Sequence, residues 1–432
     1  MTMGSKRLMR TTWAILAAFS AVPCATCKYG EVVVVQPAAT GHGPLTLSIQ
    51  PDPEDSAVAR ELGWTRGIPG AEVTISPGVE DTTMHAAAVP VAVLQTDSAG
   101  LASISDLPDG TYLVELRRLL NANEMARLGS GEDVVGFIAR ELVTRGGDTL
   151  RVPASHRRSV VISEWAFQPL WAGPGVGWYS FGGYLELANN SDTTVYLDGL
   201  VIGEGFYGTA TEFHAGICAN YEPQTNDPDG VWARYLDSLP GTGHDYPLAP
   251  GATAMIATDA IDHTDIAPAG LDLSHADFEF IGTADVDNPS VPNTISIGLA
   301  DYWDGHGLYL NDIDGEVVFI ALPIDVSGLP VTPNHRVERI PRARILDVMA
   351  QYSTYESGYP LCPHLVHSNF DRHPGRFGPV AGGNSLTHAD EGFYSVRRKV
   401  AYIRADGRNI LQHTRTTASD FHYGLRTPAQ LP

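Results

Sequence analysis

Short runs in which apolar and polar residues alternate recur along the chain, and turns rich in glycine and proline separate them. The run at 184–188 shows the pattern clearly, since Leu185 and Leu187 would share one face of a half-buried strand. Asparagine, serine and aspartate at 189–192 then favour a tight turn, because their side chains bond the neighbouring backbone. The surrounding segment, Ser159 to Phe206, therefore predicts three strands, at 160–165, 183–188 and 194–202.

Similar patterns predict further strands before this segment. Those at 101–104 and 107–116 are joined by Pro108-Asp109-Gly110, which is typical of a β-hairpin. A short helix is expected around residues 121–127. The other predicted strands in this part lie at 45–49, 71–75, 91–95, 134–138 and 149–152.

The residues around the predicted hairpin resemble a known domain family. Thr96-Asp97, Gly100 and the segment from Leu107 to Tyr112 match the pattern of carboxypeptidase regulatory-like, or transthyretin-like, β-sandwiches. The resemblance covers residues 45–155. It implies a sandwich that serves as a spacer or stabilising module, and it implies no reaction.

The second half of the chain resembles a lamin-tail-like, immunoglobulin-type sandwich. The segments that carry this resemblance are 163–164, 184–190, 197–200, 247–257, 293–297 and 315–320. The same half is similar to an uncharacterised family of exported bacterial proteins, often lipoproteins. Its matching segments are 260–264, 271–280, 285–293, 340–341, 345–347, 394–399 and 407–421. In the last segment, His413 and Arg415 stand where that family pattern has an acidic residue and an amide.

Pattern and resemblance together predict an all-β protein with two β-sandwich domains. The first, transthyretin-like, would span residues 45–157, and the second, lamin-tail-like with long insertions, would span residues 158–432. A signal segment at 1–27 and a tether at 28–44, broken by proline and glycine, would precede them.

The balance of charge argues against nucleic acid as a partner. The formal net charge is −22, and such a surface repels phosphate backbones. The charge is unevenly placed: residues 159–335 hold 25 acidic residues and a single basic one, whereas residues 336–432 hold 13 basic and 8 acidic, a net of +5. Either the basic end folds back on the acidic middle, which we favour, or the acidic surface attracts divalent cations or polycations.

The N-terminus carries the features of an export signal. Three basic residues within the first ten precede an apolar run at 13–19 that is too short to span a bilayer. Cys24 follows a lipobox-like Ala-Val-Pro, and Cys27 is a second candidate for lipidation. We therefore expect an outer-membrane lipoprotein or cell-surface protein that touches the membrane only through a lipid anchor. A single peptidase cut would instead leave the protein secreted.

Acidic loops are candidates for metal binding. Asp285, Asp287, Asp312 and Asp314 lie beside glycine or proline, and calcium prefers such clusters of carboxylate oxygens. The loops lack the complete helix–loop–helix calcium signature, so solvated turns are the alternative.

Histidine and cysteine residues near the C-terminus are a second candidate. The segment from His364 to His373 could build a tetrahedral zinc site, but flanking prolines favour a polar surface loop. Cys362, beside this segment, could pair with Cys218 in a disulfide, because an exported compartment permits one. Two free buried thiols are the alternative.

Two glutamates on neighbouring predicted strands are a third candidate. Glu164 and Glu186 could approach as the paired carboxylates that glycoside hydrolysis uses. We favour the alternative, in which each points to solvent or pairs with a basic residue such as Arg397 or Arg398.

An aromatic loop is the best functional lead in the sequence. Trp171, Trp178, Tyr179 and Phe181 crowd a segment rich in glycine and proline. Exposed rings on a loop bind sugars or proteins, whereas buried rings close the end of a sandwich. The sequence therefore predicts a non-catalytic cell-envelope scaffold or binding module for a glycan or a protein, with no cofactor beyond a structural calcium ion. The alternatives are a metal-dependent hydrolase that uses His364–His373, and a structural subunit of a secreted assembly.

Overall fold

The computed structural model describes the following residues of the chain: 41–78, 89–128, 134–146, 148–166, 170–205, 222–280, 286–298, 315–332, 338–352, 364–375, 377 and 394–426. All of them belong to one unit, Gly41–Pro432. Within these ranges no helix has both the length and the apolar character needed to cross a membrane. The predicted signal segment 1–27 and most of the predicted tether lie outside the described residues.

Alternating residues near the N-terminus build two sheets that share one core. The strands are β1 His42–Pro51, β2 Glu72–Pro77, β3 Ala92–Gln95, β4 Leu101–Pro108, β5 Thr111–Leu119, β6 Val134–Thr144, β7 Asp148–Val152 and β8 Ala154–His156. They form a three-stranded sheet in the order β4-β1-β7 and a five-stranded sheet in the order β3-β2-β5-β6-β8. Residues such as Ile49, Val73 and Phe137 are fully buried in their shared cluster. We call this part the first sandwich.

Two short helices complete the first sandwich. They are α1 Ser56–Glu61 and α2 Ala122–Leu128, and Ala59 and Leu128 add apolar area to the same core. The helix expected around residues 121–127 is therefore confirmed. Asn121 stabilises its start, because the side-chain oxygen accepts from the backbone N–H groups of Asn123 and Glu124 at 3.0 Å.

The predicted hairpin between 101–104 and 107–116 is wrong. β4 pairs with β1, whereas β5 pairs with β2 and β6. The Pro108–Gly110 turn therefore carries the chain from one sheet to the other. Tyr112 holds this crossing, because its hydroxyl donates to the Pro108 carbonyl at 2.7 Å. A turn sequence fixes a change of direction but not the sheet that receives the next strand.

Most of the remaining strands form a larger, second sandwich. They are β9 Val160–Ala166, β10 Leu170–Trp171, β11 Trp178–Tyr179, β12 Tyr184–Asn189, β13 Val195–Tyr196, β14 Val201–Gly205, β15 Gly230–Ser238, β16 Pro247–Leu248, β17 Thr253–Ala257, β18 Phe278–Glu279, β19 Ile295–Ser296, β20 Gly315–Ala321, β21 Glu338–Pro341, β22 Ile345–Tyr352, β23 Tyr394–Arg398, β24 Val400–Ile403, β25 Asn409–Leu411 and β26 Phe421–Leu425. Helix α3, Thr417–Asp420, precedes the last strand. The prediction of an all-β chain is confirmed.

Two large sheets face each other in the second sandwich. One has the order β18-β17-β12-β9-β23-β26 and the other the order β19-β15-β14-β20-β22, with β21 added on β15. The pairs β10-β11, β13-β16 and β24-β25 are separate ribbons. Ile162 and Leu187 of the first sheet and Ile320 and Met349 of the second lie in the same buried cluster, so the main core fills the space between the sheets.

The prediction that 184–188 is half-buried is wrong, because every residue of β12 is buried. Leu185 and Leu187 do share the face toward the main core. The opposite face carries Tyr184, which packs with Ala260 and Leu273 from the segment that follows β17. A long connection covers the sheet on its outer side, and local alternation of residue types cannot reveal such a cover.

The predicted strand 194–202 is divided into β13 and β14. Asp198 and Gly199 turn the chain between them, and Gly199 has the left-handed φ of 71°. The Asp198 carboxylate accepts from the backbone N–H groups of Gly243, Asp245 and Tyr246 at 2.9, 2.8 and 3.0 Å. Burial acts to raise the pKa of Asp198, but these hydrogen bonds outweigh it and lower the pKa to about 2. A distant loop therefore fixes this turn.

The basic C-terminal part pairs with the acidic middle of the chain, as the charge distribution predicted, and also with Asp52 of the first sandwich. These ion pairs are Arg339 with Asp227 at 2.6 Å, Arg397 with Glu164 at 3.0 Å, Arg408 with Asp192 at 2.9 Å and Arg372 with Asp52 at 2.8 Å. The pair of Arg372 and Asp52 joins the second sandwich to the first.

Candidate functional site

The predicted aromatic loop is a short hairpin. In it Trp171 lies opposite Trp178, and Leu170 lies opposite Tyr179. Gly173 and Gly177 have left-handed φ values of 95° and 83°, which glycine adopts without steric cost. The turn between them brings Val176 to the tip, where 67% of its surface is exposed. We call residues 170–179 the aromatic hairpin.

The base of the aromatic hairpin is fixed to the second sandwich. Leu170 is fully buried against Ala267 and Ala269. The Tyr179 hydroxyl lies 3.0 Å from His263 Nδ1, and His263 Nε2 lies 2.9 Å from the Asp259 carbonyl. A carbonyl only accepts, so Nε2 carries the proton and Nδ1 accepts from the tyrosine. Burial, with the charge of Asp259, raises the pKa of Tyr179 to about 12, so the phenol stays protonated as this bond requires.

The rings of the hairpin are half-buried. Trp171 and Tyr179 have this intermediate exposure, as does Phe181 just after the hairpin. Tyr179 packs edge-on against Phe181 with ring centroids 5.6 Å apart. The backbone of Trp178 is described, but its side chain lies outside the described part of the structure. In the structure the described aromatic rings are half-buried and fixed at the base of the hairpin. The exposed part of the hairpin is the turn at Val176.

The two glutamates of the predicted pair are held in place by buried hydrogen bonds. Glu164 and Glu186 lie opposite each other on β9 and β12, and both are buried. Glu164 accepts from Tyr184 and Ser395 hydroxyls at 2.6 Å and from Arg397 at 3.0 Å. Glu186 accepts from the Ser163 hydroxyl at 2.7 Å. The favoured alternative, pairing with Arg397, is confirmed for Glu164.

The predicted metal ligands are largely beyond the described residues. Asp285, Asp312 and Asp314 lie outside them, as do Cys24, Cys218 and Cys362. Asp287 is exposed and accepts from the Asn293 amide at 2.7 Å. In the described ranges, no three histidine, cysteine or acidic side chains come together in a way that could hold a metal ion.

The histidine segment is spread over separate contacts. His364 Nε2 lies 3.6 Å from Glu222, whereas His367 Nδ1 accepts from the Asn369 backbone at 3.0 Å. Asp371 is turned inward, where it accepts from the backbone of Thr417 and Ala350 at 3.1 and 3.2 Å. These side chains therefore serve local structure.

A buried charge network lies where the C-terminal segment enters the second sandwich. Arg398 pairs with Asp347 and donates to the carbonyls of Ile162 and Gln412 at 2.6 and 2.9 Å. His413 Nε2 lies 3.2 Å from the other oxygen of Asp347. Burial acts to raise the pKa of Asp347, but Arg398 and His413 outweigh it and hold that pKa below its usual value.

A cavity of about 480 Å³ opens beside this network. Its lining is rich in arginine, and we call it the arginine cavity. The lining residues are Arg158, Arg342, Ala343, Ile345, Leu346, Asp347, Val348, Asn369, Phe370, His413 and Arg415. Arg158 belongs to the joint that follows the first sandwich, Arg342 to a 3₁₀ turn between β21 and β22, and Arg415 to the segment before α3.

The sequence did not identify the arginine cavity. His413 and Arg415 were noted only as departures from a family pattern, and Arg158 and Arg342 were not singled out. A signal was present in the net charge of +5 of residues 336–432. It could not show that these residues meet, because only the fold places the turn between β21 and β22 beside Arg158 and residues 413–415.

Comparison with known proteins supports an uncharacterised family. Residues 249–325 match the model of DUF4876, described as a protein of unknown function. Among solved structures, the chain is similar to a DUF4876 family protein from Bacteroides thetaiotaomicron VPI-5482, whose crystal structure has 2.50 Å resolution. The two are 16% identical with a TM-score of 0.51, and the alignment covers 90% of this chain and 98% of that chain. This likeness shows the fold alone. No curated protein matches the chain.

Proposed function

We propose that the protein is a non-catalytic binding module of the bacterial cell envelope, held there by a lipid on Cys24, and that its aromatic hairpin contacts an uncharged glycan. The observation that carries this proposal is the exposed turn at Val176 above half-buried rings. Sugar rings present C–H faces that pack on aromatic side chains, and a ring fixed from below loses little entropy on binding.

The charge of the chain supports an uncharged partner. A net charge of −22 repels acidic polysaccharides at long range. The strongest acid–base candidate, Glu164, is already bonded to Tyr184, Ser395 and Arg397 inside the sheet. These contacts support a scaffold role for the buried carboxylate, since a hydrolase needs its carboxylates to face the substrate.

The test is retention of the full chain on insoluble neutral polysaccharides, with cellulose, starch and chitin as separate probes. Trp171→Ala and Val176→Asp should each weaken retention about tenfold, because each removes apolar contact area at the hairpin. Val286→Asp is the matched control, since Val286 is 64% exposed and lies outside the hairpin. Retention by none of the probes, or an equal loss in the control, would contradict the proposal.

A structural subunit of a secreted assembly is a second candidate, favoured by the edge of the first sandwich. β3 is an edge strand of its sheet. Val93 on β3 is 60% exposed, and Val89 and Val91, just before the strand, are 84% and 47% exposed. Exposed edge strands with apolar residues can pair with another chain. Light scattering would show a defined oligomer, and Val93→Lys should convert it to a monomer. A monomeric wild-type protein at high concentration would exclude this role.

A further inference from the structure

We propose that the arginine cavity binds a small organic anion through a phosphate or carboxylate group, at Arg158, Arg342, Arg415 and His413. This site is independent of the glycan contact proposed for the aromatic hairpin. The proposal depends on local charge, on polar atoms that lack protein partners, and on the backbone of Arg415.

Positive charge predominates in the cavity lining. Three arginines and His413 face a single acidic residue of the lining, Asp347. That carboxylate is already engaged by Arg398 and His413. Within the described residues, neither Arg158 nor Arg342 has an ion pair, and Arg415 shares the exposed Glu54 at 2.9 Å. Such an excess of guanidinium groups is unusual in a chain with a net charge of −22, and it favours an anionic ligand.

Three buried nitrogen atoms of the lining have no protein partner among the described residues. They are Arg158 Nε, His413 Nδ1 and Arg415 Nε. His413 is 2% exposed, so its free ring nitrogen cannot turn toward bulk water. A buried donor without a partner destabilises the fold. These atoms have almost no accessible surface, so a ligand oxyanion that displaced the side chains covering them would supply acceptors for both guanidinium nitrogens, and for His413 Nδ1 when that ring is protonated.

A further observation at this site is the backbone conformation of Arg415. Its φ of 55° makes it the single non-glycine residue with a left-handed backbone in the described chain. The Arg415 carbonyl accepts from the Arg372 backbone at 2.9 Å, and Arg415 Nη1 donates to Asn369 at 3.4 Å. These bonds hold a backbone conformation that is unfavourable for any residue with a side chain. Such strain is commonly retained at ligand sites, and Arg415 lines the cavity.

The size of the cavity indicates the class of ligand. A volume of about 480 Å³ lies within the range of small-molecule sites, roughly 300–1,000 Å³. It exceeds what a bare phosphate ion fills, so the ligand has an organic body. Ile345, Leu346 and Phe370 contribute apolar surface to the lining that suits such a body. A long polyanion is excluded by the acidic surface of the molecule.

The test is calorimetric titration of the full chain with glucose 6-phosphate and with citrate, and with glucose as the uncharged probe. We expect binding of one of the two anions, weakened by added salt, and no binding of glucose. Arg342→Gln should weaken that binding about tenfold, because one charge-assisted hydrogen bond is lost. Arg344→Gln is the matched control, since Arg344 lies on the same exposed 3₁₀ turn but not in the cavity lining.

A second variant separates binding from folding. Arg415→Gly removes the guanidinium and places glycine at the left-handed backbone, so we expect weaker binding without a large fall in Tm. Preference for glucose 6-phosphate would identify a phosphate ligand, and preference for citrate a carboxylate ligand. Absence of binding by both anions at millimolar concentration, or an equal effect of Arg342→Gln and Arg344→Gln, would overturn the proposal. Neither result would bear on retention by polysaccharides.

Discussion

Two buried carboxylates of the second sandwich have opposite pKa shifts. Asp347 and Asp371 are both almost fully buried. Burial acts to raise the pKa of Asp347, but Arg398 and the hydrogen bond from His413 outweigh it and keep that pKa below the usual value. Asp371 has hydrogen-bond donors but, among the residues that the structure describes, no cation. Burial raises its pKa to about 7, with Asp420 adding to the effect. The partner charge therefore decides the protonation state.

Asp371 should make stability depend on pH in the weakly acidic range. Its pKa is about 7 in the folded chain and 3.8 in the reference state, so between these values the folded state binds one proton more than the unfolded state. The free energy of unfolding should then fall by up to about 1.4 kcal/mol per pH unit as the pH rises from about 4 to 7. Urea denaturation across this range measures the slope.

Asp371→Asn is the control for this slope, because the amide imitates the protonated acid. The variant should lose the fall in stability near neutral pH while keeping the rest of the pH profile. An unchanged slope in the variant would assign the effect to another group.

Individual residues differed in how far the sequence could predict them. Pairing of Glu164 with Arg397 was among the expectations, because the two segments carry opposite charges and belong to one sandwich. The meeting of Arg158, Arg342 and Arg415 was not expected, since it requires knowing which loops lie at one end of the sheets. The type of a residue does not show which distant residues it will contact in the folded chain.

At the scale of elements, Gly100 allows the turn before β4 to pack against the loop that contains Gly67. Gly100 has a φ of 78°, and a Cβ there would lie 2.7 Å from the Ile49 carbonyl and 2.8 Å from Gly67. Asp97 closes the turn by accepting from the backbone of Ala99 and Leu101 at 2.8 and 2.9 Å. The Asp97 and Gly100 positions of the transthyretin-like pattern therefore pack this turn tightly against a neighbouring loop.

Gly100→Ala should destabilise the protein more than an alanine at an open left-handed glycine. Gly407 provides the comparison, because its φ is 84° and nothing lies within 4 Å of a Cβ built there. Gly407→Ala should cost about 1–2 kcal/mol for the backbone alone, and Gly100→Ala a further 1–3 kcal/mol for the steric clash. Chemical denaturation measures both. Equal losses in the free energy of unfolding would show that the loop at Gly67 moves to accommodate the added Cβ.

The positions of strands were predictable where alternation and turn residues agreed, as at β2, β5 and β12. The pairing of strands was not, because the same Pro-Asp-Gly turn suits a hairpin or a crossing between sheets. Coverage of β12 on both faces was also hidden, since the covering segment begins some seventy residues later in the chain, at Ala260. Local pattern predicts an element, and tertiary contacts determine its environment.

At the scale of the whole molecule, a cluster of charges joins the two sandwiches. Arg372 lies 2.8 Å from Asp52, 3.3 Å from Glu54 and 3.7 Å from Asp55. The backbone of His156 also donates to the His413 carbonyl at 2.8 Å. Asp55 is itself tied to the first sandwich, because it accepts from the Ala154 backbone at 2.8 Å.

Loss of Arg372 should uncouple the melting of the two sandwiches. Arg372→Ala leaves three acidic groups without their shared cation, so we expect a loss of about 1–3 kcal/mol and a thermal transition that divides in two. Differential scanning calorimetry shows this directly. Arg145→Ala is the control, because Arg145 pairs with Asp109 inside the first sandwich and its loss should leave the number of transitions unchanged.

The strand order of the larger sheet has a consequence for the newly made chain. β9 lies between β12 and β23, and β23 begins only at Tyr394, more than two hundred residues after β9. Until the ribosome has released that distant strand, β9 keeps one open edge and Glu164 lacks Ser395 and Arg397. The sheet therefore cannot close before β23 and its partner strand β26 have been made.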